Sequence, residues 1–288
     1  MSQPRILIID GNLAATREAQ IAAGGQATGE GYAQVLQQLA PLGCDIACDI
    51  VRPADGKVHF TAGVGLADYD GAVITGSALN IYQGGAPVER QIALAHAVGA
   101  SAVPLFGSCW GMQIAVAAAG GRVRRNPLGR EFGFARRIEL SDAGRQHPMY
   151  AGKPAVFEAI TVHRDDVDLL PAGTLVLASN EMGVQALELR LGAATVWAVQ
   201  YHPEYSYAEI AATTLRYADA LLQELLFDGR VELQQFVAEL RLLMQDPANH
   251  RLAWKHGLGP AMQDERLKLA ELHNWLERLV LPRYRHRH

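Results

Sequence analysis

The chain has few cysteines and no long apolar run, and these two shortages narrow the classes of protein it can belong to. It contains 3 cysteines in 288 residues, and Cys44 and Cys48 form a Cys-x3-Cys pair with no matching second pair. A four-ligand zinc site is therefore not expected, and neither is any other metal. No stretch approaches the ~20 consecutive apolar residues of a membrane span, so no membrane association is expected.

A surplus of positive charge and a targeting signal are also missing. The 26 Lys plus Arg are outnumbered by 30 Asp plus Glu, which gives a net charge of −4. Nothing here supplies the basic field that nucleic-acid binding requires. Residues 1–5 lack the basic-then-apolar order of a secretory signal peptide. We therefore expect a cytoplasmic protein that does not bind nucleic acid.

The glycine-rich segment Gly24–Gly31 does not match a dinucleotide-binding motif. Such a fingerprint begins directly after its strand, whereas about a dozen residues separate this segment from the apolar run Arg5–Asp10. We predict a mobile loop over the active site here, and no organic cofactor.

The segment around Cys109 has the pattern of a nucleophile elbow. An apolar strand at 103–106 must turn sharply into a helix at 112–119, and Gly107 and Gly111 flank the turn where a Cβ would clash. A cysteine at a helix N-terminus meets free amides that favour its thiolate. The amide of Trp110 is placed to bind a developing oxyanion. A buried structural cysteine at an ordinary strand–helix turn has the same glycines.

A second strand supplies partners for that sulfur. The apolar run 196–200 leads into Tyr201-His202-Pro203-Glu204. A thiol nucleophile needs a base and an acid that orients the base, and His202 and Glu204 are the residue types for these two roles.

Together these motifs resemble the class I glutamine amidotransferases. Gly-Ser-Cys-Trp-Gly-Met-Gln precedes Gln-Tyr-His-Pro-Glu by 93 residues, counted from position 109 to position 202. The segment Arg130–Phe134 between them is similar to the glutaminase domain of GMP synthase, and the likeness runs from about residue 5 to 225.

The resemblance implies further site residues. The turn after the strand at 70–74, often Gly-Gly-Pro in the family, reads Thr-Gly-Ser here, and it implies backbone oxyanion donors at Gly76 and Ser77. Substrate contacts are implied at four positions, of which the last belongs to a turn similar to the family's His-x-Asp. These are Gln113, Gly133, Phe134 and His163.

The predicted fold is α/β, with an open and mostly parallel sheet flanked by helices, a flavodoxin-like core, and a C-terminal helical extension. We expect an amidotransferase-like domain at 1–228 and the extension at 229–288. Two apolar stripes, at 233–240 and 269–279, predict a helical hairpin packed on the domain, or else a homodimer or partner surface.

Three functions fit the sequence. In the first, a glutaminase forms a γ-glutamyl thioester and passes ammonia to a synthase, which must be a separate protein because no pyrophosphate-binding loop follows the glutaminase segment. In the second, a free-standing hydrolase acts on a small-molecule γ-glutamyl amide or peptide. The third is an inactive binding protein on the same fold, which the presence of Cys109, His202 and Glu204 disfavours.

Overall fold

The structure is a computed structural model that describes residues 3–41 and 44–288. Eleven strands are found in these residues: β1 Arg5–Ile9, β2 Ala47–Val51, β3 Gly71–Ile74, β4 Leu105–Ser108, β5 Arg122–Arg125, β6 Glu131–Leu140, β7 Val156–His163, β8 Asp165–Leu169, β9 Leu175–Asn180, β10 Gly183–Leu191 and β11 Ala194–Val199.

The helices fall into two groups. Those within the first part of the described chain are α1 Ala14–Ala22, α2 Thr28–Gln38, α3 Ala86–Ala100, α4 Trp110–Ala118, α5 Asp142–Gln146, α6 Tyr207–Arg216 and α7 Ala218–Gln223. Those of the C-terminal part are α8 Arg230–Gln245, α9 His250–Lys255, α10 Pro260–Gln263, α11 Glu265–Lys268, α12 Ala270–Trp275 and α13 Leu281–Arg287, with a π-helical stretch at Leu276–Val280.

Nine strands form one sheet in the order β2-β1-β3-β4-β11-β10-β9-β6-β7. The neighbours from β2 to β11 are parallel, and the remaining pairs are antiparallel. The parallel strands are short apolar runs buried on both faces, as helices on each side of a sheet require. The predicted α/β class is confirmed.

The last strand of the sheet returns to the parallel strands. The amide of His202, just after β11, donates to the carbonyl of Ile160 in β7 at 2.8 Å. The sulfur of Cys109, just after β4, lies 3.6 Å from the carbonyl oxygen of Val162 in the same strand. The carboxyl ends of β4 and β11 and the end of β7 therefore meet at one place.

The C-terminal stripes pack on two different parts of the protein. Leu233, Val237 and Leu240 of α8 join a buried cluster that contains Ile160 and residues of α6. Three leucines of the second stripe join the core under the sheet, where Trp275 contacts Phe106 of β4 with ring centroids 5.9 Å apart. These leucines are Leu269, Leu272 and Leu276. The helical hairpin expected from the sequence is wrong, because the two stripes do not pack on each other; the boundary at 228 stays a prediction.

Other local expectations were also wrong. The chain after β1 is not a long loop, since it contains α1, and α2 begins at Thr28 inside the glycine-rich segment. The predicted helix over residues 207–227 is broken between α6 and α7, and Leu225 has a φ of 57°. The basic segment Arg122–Arg125, expected to be a solvated turn, is strand β5, which pairs with β8 in a two-stranded sheet.

Candidate active site

Cys109 lies at the junction of β4 and α4 in a strained backbone conformation. Its φ is 53° and its ψ is −102°, values that side-chain-bearing residues rarely adopt. Its amide donates to the carbonyl of Val199 at 2.8 Å, and its carbonyl accepts from the amide of Gln113. The side chain is 5% exposed. This is the geometry of a nucleophile elbow, as the sequence predicts.

The glycines beside Cys109 are required by close backbone contacts. A Cβ on Gly107 would lie 2.6 Å from the carbonyl carbon of Gly111, and a Cβ on Gly111 would lie 2.2 Å from the carbonyl oxygen of Ile74. The tight turn therefore depends on both glycines and not on the sulfur between them.

His202 and Glu204 complete a buried cluster with Cys109. The Nδ1 atom of His202 lies 2.7 Å from Oε1 of Glu204, and Tyr205 stacks on the imidazole with ring centroids 4.1 Å apart. Burial alone would lower the pKa of His202. The carboxylate of Glu204 and a hydrogen bond with the Cys109 side chain outweigh it and raise that pKa to about 10. The imidazolium is therefore the favoured form near neutral pH.

Two residues that sequence reasoning missed hold Glu204 in place. The hydroxyl of Ser108 donates to Oε2 of Glu204 at 3.1 Å, and the hydroxyl of Tyr32 lies 2.5 Å from that of Ser108. Because a carboxylate only accepts, the Ser108 proton is directed to Glu204 and Tyr32 is the donor to Ser108. Ser108 stands next to Cys109 in the sequence, but nothing in the sequence indicates that Tyr32 in α2 would reach it.

The turn after β3 brings Gly76 against the imidazole. A Cβ at Gly76 would lie 2.6 Å from Cε1 of His202. Asn12 braces this turn, since its Nδ2 donates to the carbonyl of Gly76 at 3.2 Å and its Oδ1 accepts from the amide of Ala78 at 3.0 Å. Asn12 follows β1 at the carboxyl edge of the sheet, where ligand sites of such folds form, and that position was the signal that could have found it.

Backbone amides are available at the predicted oxyanion positions. The amide of Leu79 is taken up by the hydroxyl of Ser77 at 3.2 Å. The amides of Gly76, Ser77 and Trp110, in contrast, have no hydrogen-bond acceptor among residues 3–41 and 44–288. The indole of Trp110 is anchored separately, with Nε1 donating to Gln91 at 2.7 Å.

Cys109 opens into a cavity of about 280 Å³ whose wall is polar. It is lined by the segment after β3 and by residues of α4, β5, β7 and β8: Ala78, Leu79, Asn80, Tyr82, Gln83, Gln113, Arg125, Arg130, His163, Arg164, Asp165 and Tyr217. The volume is near the lower end of the range for small-molecule sites.

Asp165 is the carboxylate of this wall. Asn80 donates to its Oδ2 at 2.7 Å, and the hydroxyl of Tyr82 donates to its Oδ1 at 3.1 Å. Burial raises the pKa of Asp165 above its usual value, against the lowering effect of these two donors. Sequence reasoning placed Tyr82 and Asp165 near the site but did not include them among its residues.

The four predicted substrate contacts have different surroundings. Gln113 and His163 both line the cavity, and His163 is held by Glu131 at 2.8 Å and by the carbonyl of Asp165 at 3.0 Å. Gly133 and Phe134 do not line it. Gly133 pairs with Thr161 of β7, and Phe134 packs against Tyr207, Phe236 and His256.

Neither a metal cluster nor a membrane span is present in the part of the chain that the structure describes. In those residues, no three His, Cys, Asp or Glu side chains are grouped so that they could hold a metal ion. None of the helices there has the length and apolar character needed to cross a bilayer.

The glutamine amidotransferase class I family model matches residues 31–217, which include Cys109, His202 and Glu204. The chain belongs to this family. The expectation drawn from the elbow and the Tyr-His-Pro-Glu motif is confirmed, and so is the likeness to GMP synthase.

Curated members of the family differ in how much of this amidotransferase they match. A γ-glutamyl-L-1-hydroxyisopropylamide hydrolase from a Pseudomonas species is 33% identical over 98% of this chain and 95% of its own length. A GMP synthase from Thermomicrobium roseum is 32% identical, but the match covers 51% of this chain and 25% of that enzyme. This chain therefore spans about a quarter of the GMP synthase.

Solved structures agree on the fold. A glutamine amidotransferase from Thermotoga maritima superposes with a TM-score of 0.66 at 16% identity, covering 97% of this chain and 99% of the other. One from Methylobacillus flagellatus gives a TM-score of 0.59 at 17% identity, covering 96% of each chain. Identities this low carry the fold alone.

Proposed function

We propose that this amidotransferase-family protein is a free-standing hydrolase of γ-glutamyl amides in which Cys109 is the nucleophile. The family and the Pseudomonas hydrolase support hydrolysis of an amide of this class. One observation favours a free-standing hydrolase over an ammonia supplier: the match to that hydrolase includes the C-terminal helices, whereas the GMP synthase match covers half of the chain.

In the first step the thiolate of Cys109 attacks the γ-carbonyl carbon of the bound amide. The oxygen gains negative charge, which the amides of Gly76, Ser77 and Trp110 are placed to accept. The His202 imidazolium gives its proton to the departing nitrogen, so a neutral amine leaves and a γ-glutamyl thioester remains on Cys109.

In the second step water cleaves the thioester. Neutral His202 takes a proton from the water as it attacks, the C–S bond breaks, and glutamate leaves with the thiolate restored. Glu204 keeps the imidazole oriented in both steps, because its Oε1 holds Nδ1 at 2.7 Å. The contacts from Ser108 and, through it, Tyr32 fix that carboxylate in turn.

The cavity wall offers partners for the rest of the γ-glutamyl group. Asp165 carries the negative charge that an α-ammonium group needs, and Arg130 and Arg164 carry the positive charge that suits an α-carboxylate. The amide of Gln113 faces the same space.

Ammonia supply to a synthase is the second candidate. A glutamine-hydrolysing GMP synthase component from Methanoculleus marisnigri is 31% identical to this chain over 44% of its length, and the match covers 66% of that component. A protein of that kind would release ammonia from glutamine and would need a separate synthase as partner.

The two candidates predict different substrate preferences. We expect the purified protein to cleave a γ-glutamyl alkylamide such as γ-glutamyl-1-hydroxyisopropylamide with a kcat/KM about tenfold or more above that for glutamine, a difference of roughly 1.4 kcal/mol. Glutamate release with equimolar amine is the readout. Cys109→Ala is the inactive variant, and Cys48→Ala in β2 is the matched control. Cleavage of glutamine alone would contradict the hydrolase and favour the supplier.

A further inference from the structure

The cavity at Cys109 continues into a second, larger one. A groove of about 580 Å³ runs between β5, the segment before β6 and helix α7. The two spaces share Arg125, Arg130 and Arg164, and Cys109 lines only the first. Together they exceed what a γ-glutamyl group needs, since the first alone is close to a complete small-ligand site.

The shared wall is positively charged in a protein of net charge −4. Arg130 and Arg164 both pair with Glu224, at 2.7 and 3.1 Å. These two guanidinium groups lower the pKa of that carboxyl group below its usual value, with the hydrogen bond from Arg130 as the largest cause. Among the residues that line the two spaces, three arginines face the two carboxylates Asp165 and Glu224.

Arg125 differs from the other two arginines of this wall in its charge balance. Its backbone lies directly opposite Asp165 in the β5–β8 pair. Residues at such positions share a face and usually interact, but both carboxylate oxygens of Asp165 are already bonded to Asn80 and Tyr82. Arg125 forms no ion pair with any residue in 3–41 and 44–288, whereas the adjacent Arg124 pairs with Asp168 at 2.8 Å.

We propose that Arg125 binds an anionic group that the substrate carries beyond its γ-glutamyl amide. This inference rests on the proposed hydrolase function. The γ-glutamyl group has one α-ammonium and one α-carboxylate, so binding it leaves the charge of Arg125 uncompensated. A carboxylate is the natural partner of a guanidinium, and it is carried either on the amine that leaves or on a group joined to the α-carbon of the glutamyl unit.

Two matched substrate pairs distinguish these sources. For the leaving group, γ-glutamylglycine is compared with γ-glutamylglycinamide. For the α-carbon side, glutaminylglycine is compared with glutaminylglycinamide. In one pair we expect the wild type to favour the anionic member about tenfold in kcat/KM at low ionic strength, with the preference shrinking as salt screens the charge.

The variants locate the effect. Arg125→Gln is expected to bring the ratio of the preferred pair close to one, and Arg125→Lys to keep part of it, since the charge remains. The control is Arg124→Gln, a neighbouring surface arginine outside both spaces, and it should keep the wild-type ratio. A wild type that does not favour the anionic member of either pair, or an Arg125→Gln variant with an unchanged ratio, would overturn the inference. Failure to cleave any γ-glutamyl amide would overturn the proposed function and this inference with it.

Discussion

The proposed catalytic cluster and the cavity wall are built in different ways. Cys109, His202 and Glu204 follow two neighbouring parallel strands of the sheet and are 5%, 3% and 8% exposed. The wall is formed by the segment after β3, a separate two-stranded sheet and helix α7, and it carries the exposed Arg125.

The difference separates reaction from recognition. In the cluster each polar atom has a fixed neighbour, because rigid buried strands hold the reacting groups in one geometry. In the wall, charged side chains on connecting segments meet solvent, where changes are tolerated without disturbing the sheet. Substitutions in the cluster should therefore change kcat, and substitutions in the wall should change KM or substrate preference.

The largest effect is expected for His202→Ala. Removing the imidazole takes away both the proton donor to the amine and the base for the water, so kcat should fall roughly 10⁴-fold or more. Glutamate release from a γ-glutamyl alkylamide measures it. His96→Ala, an exposed position on α3, is the control. Activity within tenfold of the wild type would remove His202 from the mechanism.

Glu204→Gln should cost less, on the order of 10²-fold to 10⁴-fold in kcat, because the imidazole remains but loses its orienting charge. It should also change the pH profile. Burial lowers the pKa of His202, and the Glu204 carboxylate outweighs it to give a value of about 10. Without that charge, the high-pH limb of kcat/KM should move to lower pH.

The same shift bears on stability. The folded-state pKa of His202 lies above its ordinary value of 6.5, so its contribution to stability is complete below about pH 6.5 and is lost as pH rises through about 10. The variant should lose this contribution at lower pH in thermal unfolding experiments. The control is Glu181→Gln, an exposed turn residue. An unmoved high-pH limb would contradict the pairing of Glu204 with His202.

Gly76→Ala tests whether the turn after β3 positions the imidazole. The added Cβ would lie 2.6 Å from Cε1 of His202, so the ring or the turn must shift. We expect a loss of about 10²-fold in kcat, typical of a displacement of about 1 Å. Gly56→Ala, with no atom within 4 Å of the new Cβ, is the matched control. Equal activity of the two variants would show that the turn adapts freely.

The smallest effect is expected in the wall. Tyr82→Phe removes one donor to Asp165 and leaves the one from Asn80, a loss of about 1 kcal/mol and hence roughly fivefold. Because Asp165 is proposed to bind the α-ammonium group, this should raise KM with little change in kcat. A fall in kcat with constant KM would place Tyr82 with the reacting groups instead.

The fold and the reactive residues could be predicted because their signals are local. An apolar strand followed by a cysteine between glycines specifies the elbow, and the Tyr-His-Pro-Glu segment follows its strand directly. The sheet then brings the two strands together, since β4 and β11 are neighbours.

The wall could not be predicted because its strands are stabilised by distant partners. Segment Arg122–Arg125 contains one apolar residue, so it lacks the alternation of a strand. Its pairing depends on Asp166 and Asp168 of β8, which face Arg122 and Arg124 across the pair. Helix α2 was missed in part because Gly29 suggests a loop, although a Cβ there would lie 2.8 Å from Cγ2 of Ile50 in β2.

The central claim is that Cys109 carries the γ-glutamyl group during hydrolysis. The most direct measurement is acid quenching of the enzyme during turnover of a γ-glutamyl anilide, followed by peptide mass spectrometry. The account predicts a γ-glutamyl thioester on the peptide that contains Cys109, none on those containing Cys44 or Cys48, and none in Cys109→Ala. Turnover by Cys109→Ala, or an adduct on another residue, would contradict it.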